Sequence, residues 1–233
     1  EETDYVVVLN PGGGGILDNA FWTRGFMPMM MDIATKSPMA EAVLDASLKF
    51  SLDFFGKALD TFGQYVDIVA MGDDYGCQRG MLISPEQWRW AIKPRLAELI
   101  STLKKKAPVK FFHHTCGSVI EIVEEMAEIG VDILNPIQPL AKDMDAENLK
   151  KRFGDIICFH GGIDEQHILP HGTPQEVRQH VREQIAVLAQ DGGYIVSPAH
   201  NIQADVPAEN IVALYDAVLE YGRYPLQPAK VTA

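Results

Sequence analysis

Val109-Lys110-Phe111-Phe112-His113-His114-Thr115-Cys116-Gly117 runs a β-favouring segment straight into a His-x-Cys pair and a glycine. Residues 109–113 read as a short strand, rich in aromatic and branched side chains and closed by the polar residues that follow. A short, mostly apolar strand suits a parallel sheet buried under helices on its faces. The imidazole of His114 and the thiolate of Cys116, one residue apart where the chain leaves the strand, can converge on one borderline cation such as zinc.

The same unit recurs outward in both directions. Val66–Met71 is a buried strand that runs into Gly72-Asp73-Asp74-Tyr75-Gly76, and Val131–Leu134 runs into Asn135-Pro136-Ile137-Gln138-Pro139. Ile156–Phe159 delivers His160-Gly161-Gly162-Ile163-Asp164, Tyr194–Val196 delivers Ser197 to Asn201, and Tyr5–Leu9 is a weaker strand at the start. Helical periodicity fills the intervals. Ser37-Pro38 opens a long helix with apolar residues at Val43, Leu44, Leu48, Leu52 and Phe55, which Gly63 closes. Ser84-Pro85-Glu86-Gln87 is a capping box for a helix that kinks at Pro94 and ends in Lys104-Lys105-Lys106, a solvated terminus that suits the helix dipole. Further helices are expected over 119–129, over 145–153, from the Thr173-Pro174-Gln175-Glu176 cap to about Gln190, and over 207–221.

Strands alternating with helices imply an α/β fold with a parallel sheet. A doubly wound sheet would show a phosphate-binding glycine turn after its first strand, and none is in register. The expectation is therefore a (β/α)8 TIM barrel that lacks its first units, because five strands and a weaker sixth fall short of eight. It is one partial barrel domain over 1–233, part of a longer protein, with residues 1–36 a loop or lid-like segment leading into it. Within that segment, Gly12 to Gly15 read as a mobile loop without P-loop spacing. The methionine and aromatic cluster between Phe21 and Ile33 reads as core filling, or as an adaptable lid over a ligand. The Pro-rich tail shows no core pattern.

At 233 residues and 47% hydrophobic, the chain can bury a sizeable core. A net charge of −12 disfavours nucleic acid and anionic membranes as partners and leaves a small-molecule substrate. Three cysteines, Cys77, Cys116 and Cys158, make no disulfide framework and point to a reducing cytoplasm. No apolar run approaches the roughly 20 residues of a membrane helix.

Polar residues gather where the expected strands end, and in a parallel barrel those ends share one mouth. Asp74, Asp164 and His200 are the candidates for acid–base chemistry, with Asp73, Asn135, Gln138, His160 and Gln203 placed to hold a substrate. His114 and Cys116 are the metal candidates, and His200 is either the third ligand or a proton donor over the same cavity. Each has a plainer reading: Asp73 and Asp74 as turn carboxylates, His160 and Asp164 as a packing pair, His114 and Cys116 as a hydrogen-bonded pair. His113 reads as core, Cys77 and Cys158 as structural, and His167, His171 and His180 as surface.

Gly72-Asp-Asp-Tyr-Gly-Cys-Gln-Arg-Gly-Met-Leu-Ile-Ser-Pro85, His114-Thr-Cys-Gly117, Gly130-Val-Asp-Ile-Leu-Asn-Pro-Ile-Gln-Pro139, Gly161-Gly-Ile-Asp164, Gly192-Gly-Tyr-Ile195 and Val206-Pro-Ala-Glu-Asn-Ile211 occur in this order. As a set, spread from about Ala34 to Tyr224, they resemble the uroporphyrinogen decarboxylase superfamily, whose other large branch is the cobalamin-dependent methyltransferases. The resemblance implies a (β/α)8 barrel. In the branch that passes a methyl group between a corrinoid and a thiol such as coenzyme M, zinc is held by a His-x-Cys-Gly motif and a distant cysteine. His114 and Cys116 match the first two, and His200 stands where the distant cysteine would be. The decarboxylases also carry a histidine at the His200 position and need no metal; their other catalytic groups, an aspartate and arginines, lie in an amino-terminal part absent from this chain. The resemblance thus implies a zinc-dependent methyltransferase, with a corrinoid as co-substrate and a corrinoid-carrying protein as partner. A decarboxylase acting on a tetrapyrrole is the second reading, and a non-catalytic corrinoid- or tetrapyrrole-binding module the third.

Overall fold

The structure, a computed structural model, describes residues 4–12 and 14–226. Gly13 and the greater part of the Pro-rich tail, residues 227–233, lie outside the described residues. Two compact units divide the chain, residues 1–133 and 134–233.

In the first unit, strand β1 (Val8–Leu9) is followed by helices α1 (Ile16–Arg24), α2 (Phe26–Ala34) and α3 (Pro38–Phe62). Then come β2 (Ile68–Gly72), a hairpin of β3 (Gly76–Cys77) and β4 (Gly80–Met81), helices α4 (Pro85–Ala91) and α5 (Lys93–Lys106), β5 (Lys110–His114) and α6 (Val123–Glu128). β1, β2 and β5 are parallel neighbours, with Val8 opposite Ile68 and Gly72 opposite His114. Leu44, Leu48, Phe55 and Leu59 of α3 and Leu96, Leu99 and Leu103 of α5 are buried, and α3 packs against both α5 and α1.

The second unit takes β6 (Ile133–Ile137, its first residue belonging to the first unit), α7 (Ala146–Phe153), β7 (Cys158–Ile163), α8 (Ile168–His171), α9 (Pro174–Leu188), β8 (Tyr194–Pro198) and α10 (Ala208–Tyr221). β6, β7 and β8 lie in that order, and β7 and β8 run parallel with His160 opposite Ile195 and Ile163 opposite Pro198. Val177, Val181 and Ile185 of α9 meet Ala213, Leu214 and Ala217 of α10 and Ile163 in one apolar cluster.

The start signals hold. Ser37 Oγ accepts the Ala40 N–H, and both Ser84–Gln87 and Thr173–Glu176 form reciprocal capping boxes. Several boundaries differ from expectation. Pro94 separates two helices where a kink was expected, since it lacks an N–H and crowds the carbonyl four residues back. The helix expected over 119–129 shortens to α6, with turns before it. β6 continues through Asn135 and Pro136, and β7 through His160, Gly161 and Gly162, so Asn135 and His160 sit inside strands that were expected to end before them. Burial explains both: every residue of β6 is buried, and the backbone of Gly161 passes so close to Ile137 that a Cβ there would lie 2.7 Å from its nitrogen. Gly14 and Gly15, expected in a mobile loop, are tied to β2. Gly14 bridges to Gly72 in parallel register, and the Gly15 N–H donates to the Gly72 carbonyl at 2.5 Å.

Candidate functional site

Because β2 and β5 are parallel and in register, the first unit brings Asp73 and Asp74 beside His114 and Cys116. Asp74 Oδ1 accepts the Cys116 N–H at 2.8 Å and lies 3.8 Å from His114 Nε2. The same ring nitrogen is 3.4 Å from Cys116 Sγ. Two corners of a tetrahedral zinc site, one nitrogen and one sulfur, are about 3.6 Å apart given their bond lengths. The 3.4 Å separation is thus of the size that two ligands of one zinc ion have, and equally that of a thiol–imidazole hydrogen bond. Gly72 makes room for this arrangement, since a Cβ on it would lie 2.7 Å from the His114 Cβ.

Asp73 is fully buried, and its carboxylate is engaged by the protein itself. It accepts the N–H groups of Ile16 (2.9 Å) and Asp18 (2.8 Å), the orphan donors at the start of α1, and the Tyr75 hydroxyl (3.0 Å). Burial pushes its carboxyl up to about 7, helped by the charge of Asp18, while these hydrogen bonds pull it down. Asp18 rises to about 6, through burial first and the charge of Asp74 second. His113, the other side of the strand from His114, is wholly buried, stacked on Tyr75 and Phe111, with no hydrogen-bond partner for either ring nitrogen. Burial and the neighbouring His114 push it down to about 3, which makes it a neutral core residue, as its sequence position suggested.

In the second unit, Asn135 Nδ2 lies 2.8 Å from His160 Nδ1, so these two candidates pair with each other. Asp164 acts locally: Oδ1 accepts the N–H groups of Gln166 (2.7 Å) and His167 (3.1 Å), an Asx-type turn at the exit of β7. Its own N–H donates to His180 Nε2 at 3.1 Å, so His180 is half-buried against this turn, not a surface residue as its helical position suggested. His167 and His171 are exposed. Gln138 is nearly buried just past β6. Gln203 is exposed and donates to the Asn201 carbonyl. His200 stands two residues past the end of β8. Beside it is a residue that sequence reasoning missed, Glu165, with a buried Oε2 that has no hydrogen-bond partner. The signal was its place one residue after Asp164, two past the end of β7, in a motif read only as far as the aspartate.

Within the first unit, His114 and Cys116 offer one nitrogen and one sulfur donor of the types that bind zinc. Cys77, Cys116 and Cys158 form no disulfide with one another. Among the described residues no helix is long and apolar enough to cross a membrane.

Parallel strands alternating with helices define the α/β architecture of part of a (β/α) barrel. The uroporphyrinogen decarboxylase (URO-D) family model matches residues 20–221, and the chain belongs to that family. Among curated relatives, a uroporphyrinogen decarboxylase of Legionella pneumophila is 25% identical over 201 residues, covering 85% of this chain and 53% of its own length. One from Pseudoalteromonas translucida is 28% identical over 117 residues, 50% of this chain and 30% of its own. The chain thus spans about half the length, or less, of the curated relatives it matches. A solved methyltransferase from Methanosarcina mazei shares the fold with a TM-score of 0.75 at 22% identity, over 95% of this chain and 60% of that one. The (β/α)8-type expectation holds, with this chain supplying part of such a barrel.

Proposed function

We propose that this chain is the zinc-binding part of a cytoplasmic methyltransferase that moves a methyl group between a corrinoid, presented by a corrinoid-carrying protein, and a thiol or similar small acceptor. The observation that carries the reading is the 3.4 Å approach of His114 Nε2 and Cys116 Sγ at the end of β5, with Asp74 holding the Cys116 backbone. His200 would be the third ligand in this reading. Zinc bound there would lower the pKa of an acceptor thiol and hold its sulfur. The chain's own residues do the rest. Asp74 fixes the Cys116 backbone and stands beside His114, where it can take a proton from an incoming thiol. Asp164 shapes the turn after β7, and Asn135, His160, Gln138 and Gln203 are the second unit's candidates for holding a substrate, whereas Asp73 serves the start of α1.

Metal analysis tests this directly. Protein purified without added zinc is expected to carry close to one equivalent, and His114→Ala and Cys116→Ala to lose it. Less than stoichiometric zinc that neither substitution changes would sink the reading. The names of the curated relatives support a second one, a decarboxylase acting on a tetrapyrrole. In that case His200→Ala abolishes porphyrinogen decarboxylation while chelators leave it intact.

A further inference from the structure

Parallel register brings the exits of β7 and β8 together. Ile163 pairs with Pro198, and the Ala199 N–H donates to the Ile163 carbonyl at 2.9 Å, so the ladder continues past both strands. One step further, Glu165 and His200 fall side by side. The turn that presents Glu165 is held by Asp164, whose Oδ1 caps the N–H groups of Gln166 and His167. Asp164 therefore shapes the loop, and Glu165 is the carboxylate that faces His200. Burial raises the Glu165 carboxyl, the His200 imidazole and the like charge of Asp164 act on it in opposite senses, and the His200 N–H points at it. Its Oε2 is shielded from solvent without a hydrogen-bond partner. A shielded acceptor in that state destabilises the fold unless a donor arrives. A metal-bound histidine is such a donor, since it nearly always gives its second ring N–H to a carboxylate, carbonyl or water.

We infer that Glu165 is the positioning residue for His200. Its carboxylate takes the His200 backbone N–H and, when one ring nitrogen binds a metal, accepts the hydrogen of the other, fixing the tautomer and the ring's orientation. The inference rests on His200 being a zinc ligand, and the test separates the two ideas. Zinc affinity is measured by competition with a chromophoric chelator for the whole 233-residue chain and for His200→Ala, Glu165→Gln and Glu165→Ala. Melting of the metal-free proteins is followed in parallel.

The expected result is roughly 10- to 100-fold weaker zinc binding in both Glu165 variants, with Glu165→Gln melting like wild type when metal-free. Zinc bound within about threefold of wild type by both Glu165 variants, while His200→Ala is weakened, overturns the inference and leaves the metal site standing. So does a loss confined to Glu165→Ala that tracks a lower metal-free melting temperature, because that is a packing role. If wild type binds no zinc, or His200→Ala binds as well as wild type, the proposed ligand set fails first and this inference with it.

Discussion

His113 and His114 are consecutive histidines with opposite fates, because successive side chains of a strand point to opposite faces. His114 meets Asp74 and Cys116, whereas His113 is sealed between Tyr75 and Phe111 with both nitrogens unpaired. His113→Phe keeps the ring stack and removes two unsatisfied polar atoms, so it is expected to raise stability at pH 7 by about 1 kcal/mol in urea unfolding. A loss of stability would mean that the imidazole has a partner. Asp18 carries a pH signature. Its carboxyl rises from 3.8 unfolded to about 6 folded, so between those values the folded chain holds a proton that the unfolded chain has released. Stability from this group is present below pH 4 and falls as pH rises towards 6. Asp18→Asn has no such slope, and its advantage over wild type should grow between pH 4 and 6 and then level off. A gap that stays constant with pH would show that Asp18 is not perturbed by burial.

Helix α3 shows how one element reads correctly and still hides information. Its periodicity and its Ser37-Pro38 start were plain in the sequence, and of the apolar positions expected Leu44, Leu48 and Phe55 are buried while Val43 and Leu52 are half-buried; Leu59 is buried as well. Phe50 and Phe54, off that stripe, are 62% and 42% exposed, large apolar side chains that residue type alone would place in the core. Leu44→Ala is expected to cost about 2–5 kcal/mol, whereas Phe50→Lys changes stability by less than about 0.5 kcal/mol. Comparable losses from both would show that Phe50 is covered in solution. At α9, Thr173 accepts the Glu176 N–H and Glu176 returns the bond, so Thr173→Ala should cost about 1 kcal/mol. Strand ends were harder to read than helix starts. Asn135-Pro136 and Gly161-Gly162 carry turn chemistry locally, but burial and backbone packing hold both pairs within strands, the two glycines at φ of 124° and 86°.

For the whole molecule, metal binding and folding are linked by mass action. If zinc binds the native chain as proposed, a 100-fold excess over the dissociation constant stabilises it by about 2.7 kcal/mol. Cys116→Ala should lose that gain, as calorimetry with and without zinc would show. An equal shift in both proteins would assign the effect to binding elsewhere. The acidic balance of −12 also favours binding of cations over anions at the surface generally, so the variant control is needed.

The sequence by itself determined the alternation of strands and helices, the caps that start α3, α4 and α9, and the family. It also placed His114 and Cys116 at a strand end. These rest on local periodicity and on residue types that act within a few positions of themselves. Only the tertiary structure decided which side chains those ends bring together. It gave Asp73 to the start of α1, paired Asn135 with His160, turned Asp164 to its own loop and set Glu165 beside His200. The reason is register: a parallel ladder fixes which residues of distant segments become neighbours, and no local pattern in the chain encodes that offset.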